Sequence, residues 1–82
     1  MQPKSVHCYD MNGVQCRLAR VGLGWGVRDL SFAAKVSQQT IVRLEKGETL
    51  RPATLYRIKR VFEEAGIIFL SDDRGYGILI KT

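Results

Sequence analysis

Histidine and cysteine are almost missing from this chain: His7 stands alone, and Cys8 and Cys16 are the two thiols. Neither cysteine has a second thiol or a histidine at metal-ligand spacing, apart from the adjacent and geometrically unsuitable His7, so no metal site is expected. Both thiols are read as reduced, with Cys16 near the core. One histidine leaves no serine, histidine and carboxylate set. The paired carboxylates Glu63-Glu64 and Asp72-Asp73 fall on an exposed helix face and in a turn, where they make a poor acid–base couple. The glycines at 22, 24 and 26 have the wrong spacing for a phosphate-binding loop. Neither an enzyme nor a cofactor is therefore expected. Long apolar runs are lacking too, so no bilayer span and no secretion signal is read, and a soluble cytoplasmic protein without a membrane partner is expected.

Acidic residues are outnumbered, 8 against 13 lysines and arginines, for a formal charge of +5. That balance suits an anionic partner without choosing between nucleic acid and a membrane surface. With 82 residues, 45% of them hydrophobic, the chain makes one small folded domain with a modest core.

Punctuation falls at regular intervals. Residues 1–11 hold Pro3 and no sustained period, and read as a flexible N-terminal arm. Asn12 and Gln15 then resemble a capping box, and Val14, Leu18 and Val21 repeat at helical steps, predicting a first helix over about Gly13 to Gly22. The three glycines of Gly22-Leu23-Gly24-Trp25-Gly26 end it, with Leu23 and Trp25 turning inward. A second helix is predicted from Val27 to Ala34, with Val27, Leu30 and Ala34 on its inner face. Lys35-Val36-Ser37 is too short for anything but a tight turn, and Ser37 is a good N-cap for a third helix of about Gln38 to Glu45. Gly47 ends that helix, and Pro52 opens a fourth, expected to run to Ala65. The fourth has an apolar stripe of Leu55, Ile58, Val61, Phe62 and Ala65; Arg57, Lys59, Arg60, Glu63 and Glu64 make its solvated face.

After Gly66 the pattern changes. Ile67-Ile68-Phe69-Leu70 and Gly77-Ile78-Leu79-Ile80, separated by the turn residues 71–75, read as a β-hairpin. Its strands are apolar at consecutive positions, so both faces need cover: the fourth helix can supply one and a second subunit the other, or the tail folds wholly onto its own domain. The fold class expected is mainly α, about four helices with a small C-terminal hairpin. Residues 1–11 are the arm, 12–66 the helical domain and 67–82 the tail.

The third helix carries the functional signal. Ile41 and Leu44 fall on one side, leaving Gln38, Gln39, Thr40, Val42 and Arg43 outside. Amides, a hydroxyl and a guanidinium are the groups that bond base edges in the DNA major groove. Glutamine pairs with adenine N6 and N7, and a valine meets a thymine methyl. Arg43 is equally suited to guanine, to a phosphate or to a surface ion pair. Arg28, Ser37, Lys46 and Arg51 flank this surface on loops and helix ends, and would contact the sugar-phosphate backbone. For any single surface lysine or arginine, simple solvation is the commoner case.

From about Arg17 to Gly66 the chain resembles the lambda-repressor-like helix-turn-helix family of phage repressors and Cro proteins. The residues that carry this are Leu23-Gly24-Trp25, Leu30 and Ala34, and Val36-Ser37-Gln38-Gln39-Thr40-Ile41 running into Arg43-Leu44-Glu45-Lys46-Gly47. The ending, with Glu64-Ala65-Gly66-Ile67-Ile68-Phe69 and the glycines 75 and 77, is similar to a bacterial small-regulator subgroup with a short β tail. The resemblance implies a homodimeric transcription regulator, repressor-like, reading an inverted-repeat operator in double-stranded DNA, with the third helix as recognition helix. It also implies a salt bridge between Arg20 and Glu45, which makes Glu45 structural. The chain departs from the family at Lys35, where glycine is common and a left-handed backbone is asked of lysine, and at Val27, which replaces a phosphate-contacting glutamine. A protein-interaction module such as an antitoxin or antirepressor, gripping a protein partner through the C-terminal tail, is the alternative. A further reading sends the arm into the minor groove through Lys4.

Overall fold

The computed structural model describes residues 11–82 and shows a small domain of four helices followed by a two-stranded hairpin. Helix α1 spans Gly13–Gly22, α2 Val27–Ala34, α3 Gln38–Glu45 and α4 Pro52–Glu64; strand β1 spans Ile67–Asp72 and β2 Gly75–Ile80. Each helix starts where a side chain or ring satisfies its first turn. Asn12 Oδ1 accepts the Gln15 amide N–H at 2.8 Å while Gln15 Oε1 accepts that of Asn12 at 3.1 Å, the reciprocal capping box. Asp29 accepts the Gly26 N–H at 2.7 Å, Ser37 Oγ accepts that of Thr40 at 3.0 Å, and Pro52 fills the first turn of α4.

Only Lys35, Val36 and Ser37 separate α2 from α3. The turn is made by Lys35 in the left-handed region, φ 57 and ψ 46, a conformation that costs an L-residue of this kind about 1 kcal/mol. Ser31 helps hold it: its carbonyl accepts the N–H groups of Lys35 and Val36, and its hydroxyl donates to the Val36 carbonyl at 2.6 Å. Arg57, exposed as its place on the solvated face of α4 implies, also donates to the Lys35 carbonyl at 3.3 Å.

The core is assembled from Cys16 and Ala19 of α1, Leu30 and Ala34 of α2, Ile41 and Leu44 of α3, Ile58 and Phe62 of α4, and Ile67 of β1. Trp25 stacks on Phe62 at a centroid distance of 5.8 Å, and Phe69 meets the same ring edge-on at 6.0 Å. The hairpin thus shares the helices' core. Its strands pair antiparallel from Ile67↔Ile80 to Asp72↔Gly75, so the loop is Asp73-Arg74 and the strands reach farther into the expected turn. Two close approaches seat α1. A Cβ at Gly13 would collide with the Leu44 carbonyl oxygen, and one at Gly22 would lie 2.6 Å from Ile80 Cδ1.

The helical repeat of Val14, Leu18 and Val21 lies outside the core, each residue 44% to 64% exposed, and α1 buries Gln15, Cys16 and Ala19. Small side chains are what a helix seated this closely on its neighbours can bury, and they leave no strong apolar stripe. Lys59 is 7% exposed rather than solvated, its ammonium 3.9 Å from Glu63; its aliphatic stem is what the core accepts. Met11, assigned to the arm, is a core residue at 1% exposure. The rest of the arm, with Lys4, His7 and Cys8, lies outside the described residues. Helix α4 ends one residue short of Ala65, which caps it.

Candidate nucleic-acid interface

Helix α3 is eight residues long, and its two sides are held differently. Ile41 is fully buried and Leu44 nearly so. Beside them Glu45 receives Arg20 in a two-pronged contact, Nε to Oε2 and Nη2 to Oε1, both at 2.9 Å. Arg20 Nη1 also donates to the Trp25 carbonyl at 3.1 Å, so one guanidinium ties α3 to the loop before α2. The Cys16 thiol donates to Glu45 Oε2 at 3.4 Å. Burial alone would raise the Glu45 carboxyl, but hydrogen bonds from Arg20 and Cys16 and the charges of Arg20 and Arg17 hold it below the ordinary carboxylate range. Burial, reinforced by Glu45, pushes the Cys16 thiol far above its usual range, so it remains a neutral donor.

The opposite side is open. Gln38 and Gln39 are exposed, and among the described residues neither side-chain amide bonds to the rest of the domain. Their donors and acceptors are therefore left for an external partner. Thr40 and Val42 are half-buried and Arg43 is exposed. The Thr40 hydroxyl shares a hydrogen bond of 2.8 Å with that of Ser37, so Ser37 is occupied as a cap on both its contacts. Arg43 Nε sits 2.9 Å from Glu48 Oε1, each side chain about half exposed. Such an exposed pair is worth at most about 1 kcal/mol and can be exchanged for a better partner.

Around this surface Arg28 projects from the first turn of α2, Lys46 caps the end of α3, and Arg51 occupies the position before Pro52; all three are exposed. Among the other acidic residues Glu63 pairs with Lys59, Glu64 with Arg60, Asp72 with Arg74, and Glu45 on the inner side of α3 with Arg20. Glu48 is held by Arg43, and Asp29 accepts from the Gly26 amide.

Three residues near the site escaped the sequence reading. Arg57 supports the turn by its bond to Lys35, and nothing in its helical position marks that reach. Glu48 is foreshadowed only by its five-residue distance from Arg43 across Gly47. Phe32 is 86% exposed, beside Arg28, Asp29 and Trp25 in one shallow depression; its place on the outer face of α2 is legible from the period. No helix among the described residues is long and apolar enough to cross a membrane. Neither a protein-family model nor a curated protein matches the sequence.

Proposed function

We propose that this protein is a sequence-specific DNA-binding transcription regulator of the lambda-repressor-like helix-turn-helix type, which lays α3 in the major groove of an inverted-repeat operator. The observation that carries the reading is the contrast across α3. Its inner side is fixed by Ile41, Leu44 and the Arg20–Glu45 pair; its outer side offers two unengaged glutamine amides, with Arg43 exposed on the same helix and Lys46 at its cap. A side chain held on a rigid helix and left unsatisfied in the free protein is suited to reading a base edge. In this scheme Gln38, Gln39, Thr40, Val42 and Arg43 meet bases. Arg28, Lys46 and Arg51 meet phosphates and set the register, with Ser37 holding the amino end of α3 toward the backbone. Bound near a promoter, such a domain occludes or recruits polymerase.

Selection of bound duplexes from a random pool tests the scheme, and an enriched palindrome is the expected result. On the selected site, Gln39→Ala and Arg43→Ala should each cost about 1–3 kcal/mol and relax the preference at one base pair. Arg51→Ala should weaken all sequences alike and lower the salt slope by about 1. Equal behaviour of the three variants, or a pool that yields no sequence, would overturn it and return the molecule to the protein-interaction reading.

A further inference from the structure

We infer that Glu48 is a positioning residue for Arg43: it holds the guanidinium by Nε alone and so aims the fork of Nη1 and Nη2 at the paired acceptors of a guanine edge. The inference rests on the DNA-binding reading and narrows it, giving α3 a guanine to read and naming the residue that sets how it is read.

The backbone makes the pairing. Helix α3 ends with the Glu48 N–H on the Arg43 carbonyl at 3.0 Å and the Gly47 N–H on that of Leu44 at 2.9 Å, with Gly47 left-handed at φ 100. This is the Schellman closure, which folds the second residue past the helix cap back toward the last turn. An apolar contact commonly fills that place; here it is the ion pair of Glu48 Oε1 with Arg43 Nε, at 2.9 Å. Glu48 therefore reaches Arg43 through the shape of the helix end, and the meeting does not depend on two long side chains finding each other.

The atoms left over decide what Arg43 can read. Among the described residues Nη1 and Nη2 of Arg43 have no hydrogen-bond partner, and the side chain is exposed on the outer side of α3. Two N–H groups held in one plane match O6 and N7 of guanine, the commonest specific contact in the major groove. The same fork fits a phosphate, and charge separates the two. A phosphate there would face the Glu48 carboxylate across a single guanidinium, anion against anion, whereas a guanine edge is neutral. Glu48 thus weakens the hold of this end of α3 on the sugar-phosphate backbone and leaves Arg43 suited to a base.

Anisotropy titrations of the full chain test the role, on the selected operator, on an unrelated duplex, and on operators carrying each other base pair at the position where Arg43→Ala loses its preference. The wild type should prefer guanine there. Glu48→Ala should reduce that preference about fivefold, the scale of an exposed ion pair, and bind the unrelated duplex more tightly, having shed a negative charge. Glu48→Gln keeps an oxygen for Nε without the charge, so it should retain most of the preference and share the gain on unrelated DNA. With Arg43→Ala already present, Glu48→Ala should change base preference no further. Three results would overturn the inference and leave the DNA reading standing: another base preferred at that position, a Glu48→Ala variant that tightens on every duplex with its guanine preference intact, or an effect on preference that persists without Arg43. A wild type that binds no duplex overturns both.

Discussion

Glu45 is the residue on which the orientation of α3 most depends. It is 10% exposed, engaged by both nitrogen prongs of Arg20 and by the Cys16 thiol. Exchanging it for the neutral isostere leaves the guanidinium without its counter-charge in a nearly dry site. Glu45→Gln is accordingly expected to cost about 3 kcal/mol, seen as a lower urea midpoint with the slope unchanged. The pH dependence follows from the lowered carboxyl. A group whose pKa is lower folded than unfolded stabilises the fold above its unfolded value of 4.5, and that contribution drains away as pH falls through the folded value. The gap in stability between wild type and Glu45→Gln should therefore be widest near neutrality and narrow on acidification below that value; a constant gap would refute the assignment. Of this cluster, only the placement of Cys16 near the core is legible from the residues themselves. The Arg20–Glu45 partnership comes from resemblance, because a separation of 25 residues carries no local signal. The outward aim of Gln38 and Gln39, by contrast, follows from helical period alone.

Helix limits are the most legible part of the chain, since caps are local chemistry: Asn12 with Gln15, Ser37, Pro52 and the glycines that follow α1, α3 and α4 act within a few residues of themselves. Packing direction is less legible. Val14, Leu18 and Val21 form the better periodic stripe of α1, yet Gly13 and Gly22 mark where its backbone presses on α3 and β2, and only Gln15, Cys16 and Ala19 suit that contact. Gln15 shows why a polar residue belongs there. Besides the capping box, its Nε2 donates to the carbonyls of the opposed residues Leu70 and Gly77 at 3.0 and 2.9 Å, so a residue 2% exposed has every amide hydrogen engaged. Gln15→Leu keeps the volume and strands these partners, with an expected loss of about 2–3 kcal/mol. Hydrogen exchange should report it unevenly, with hairpin amides losing more protection than those of α3.

At the scale of the molecule, helices and hairpin share one core. Ile67 lies in the helical core, and Phe69 packs on Phe62. A chain ending at Gly66 should lose its cooperative thermal transition in circular dichroism instead of surviving as a helical domain, since it gives up a fully buried isoleucine and half of an aromatic contact. The tail is thus less separable than its composition suggests. A change of residue pattern after Gly66 signals a new kind of element and says nothing of where that element packs. The Gln15 clasp adds a consequence in time. Its acceptors lie 55 and 62 residues along the chain, while the helix caps close over three. Long loops close late, so the clasp belongs to the last steps after the folding barrier. Loosening it hastens escape from the native state and leaves the rate of reaching that state almost untouched.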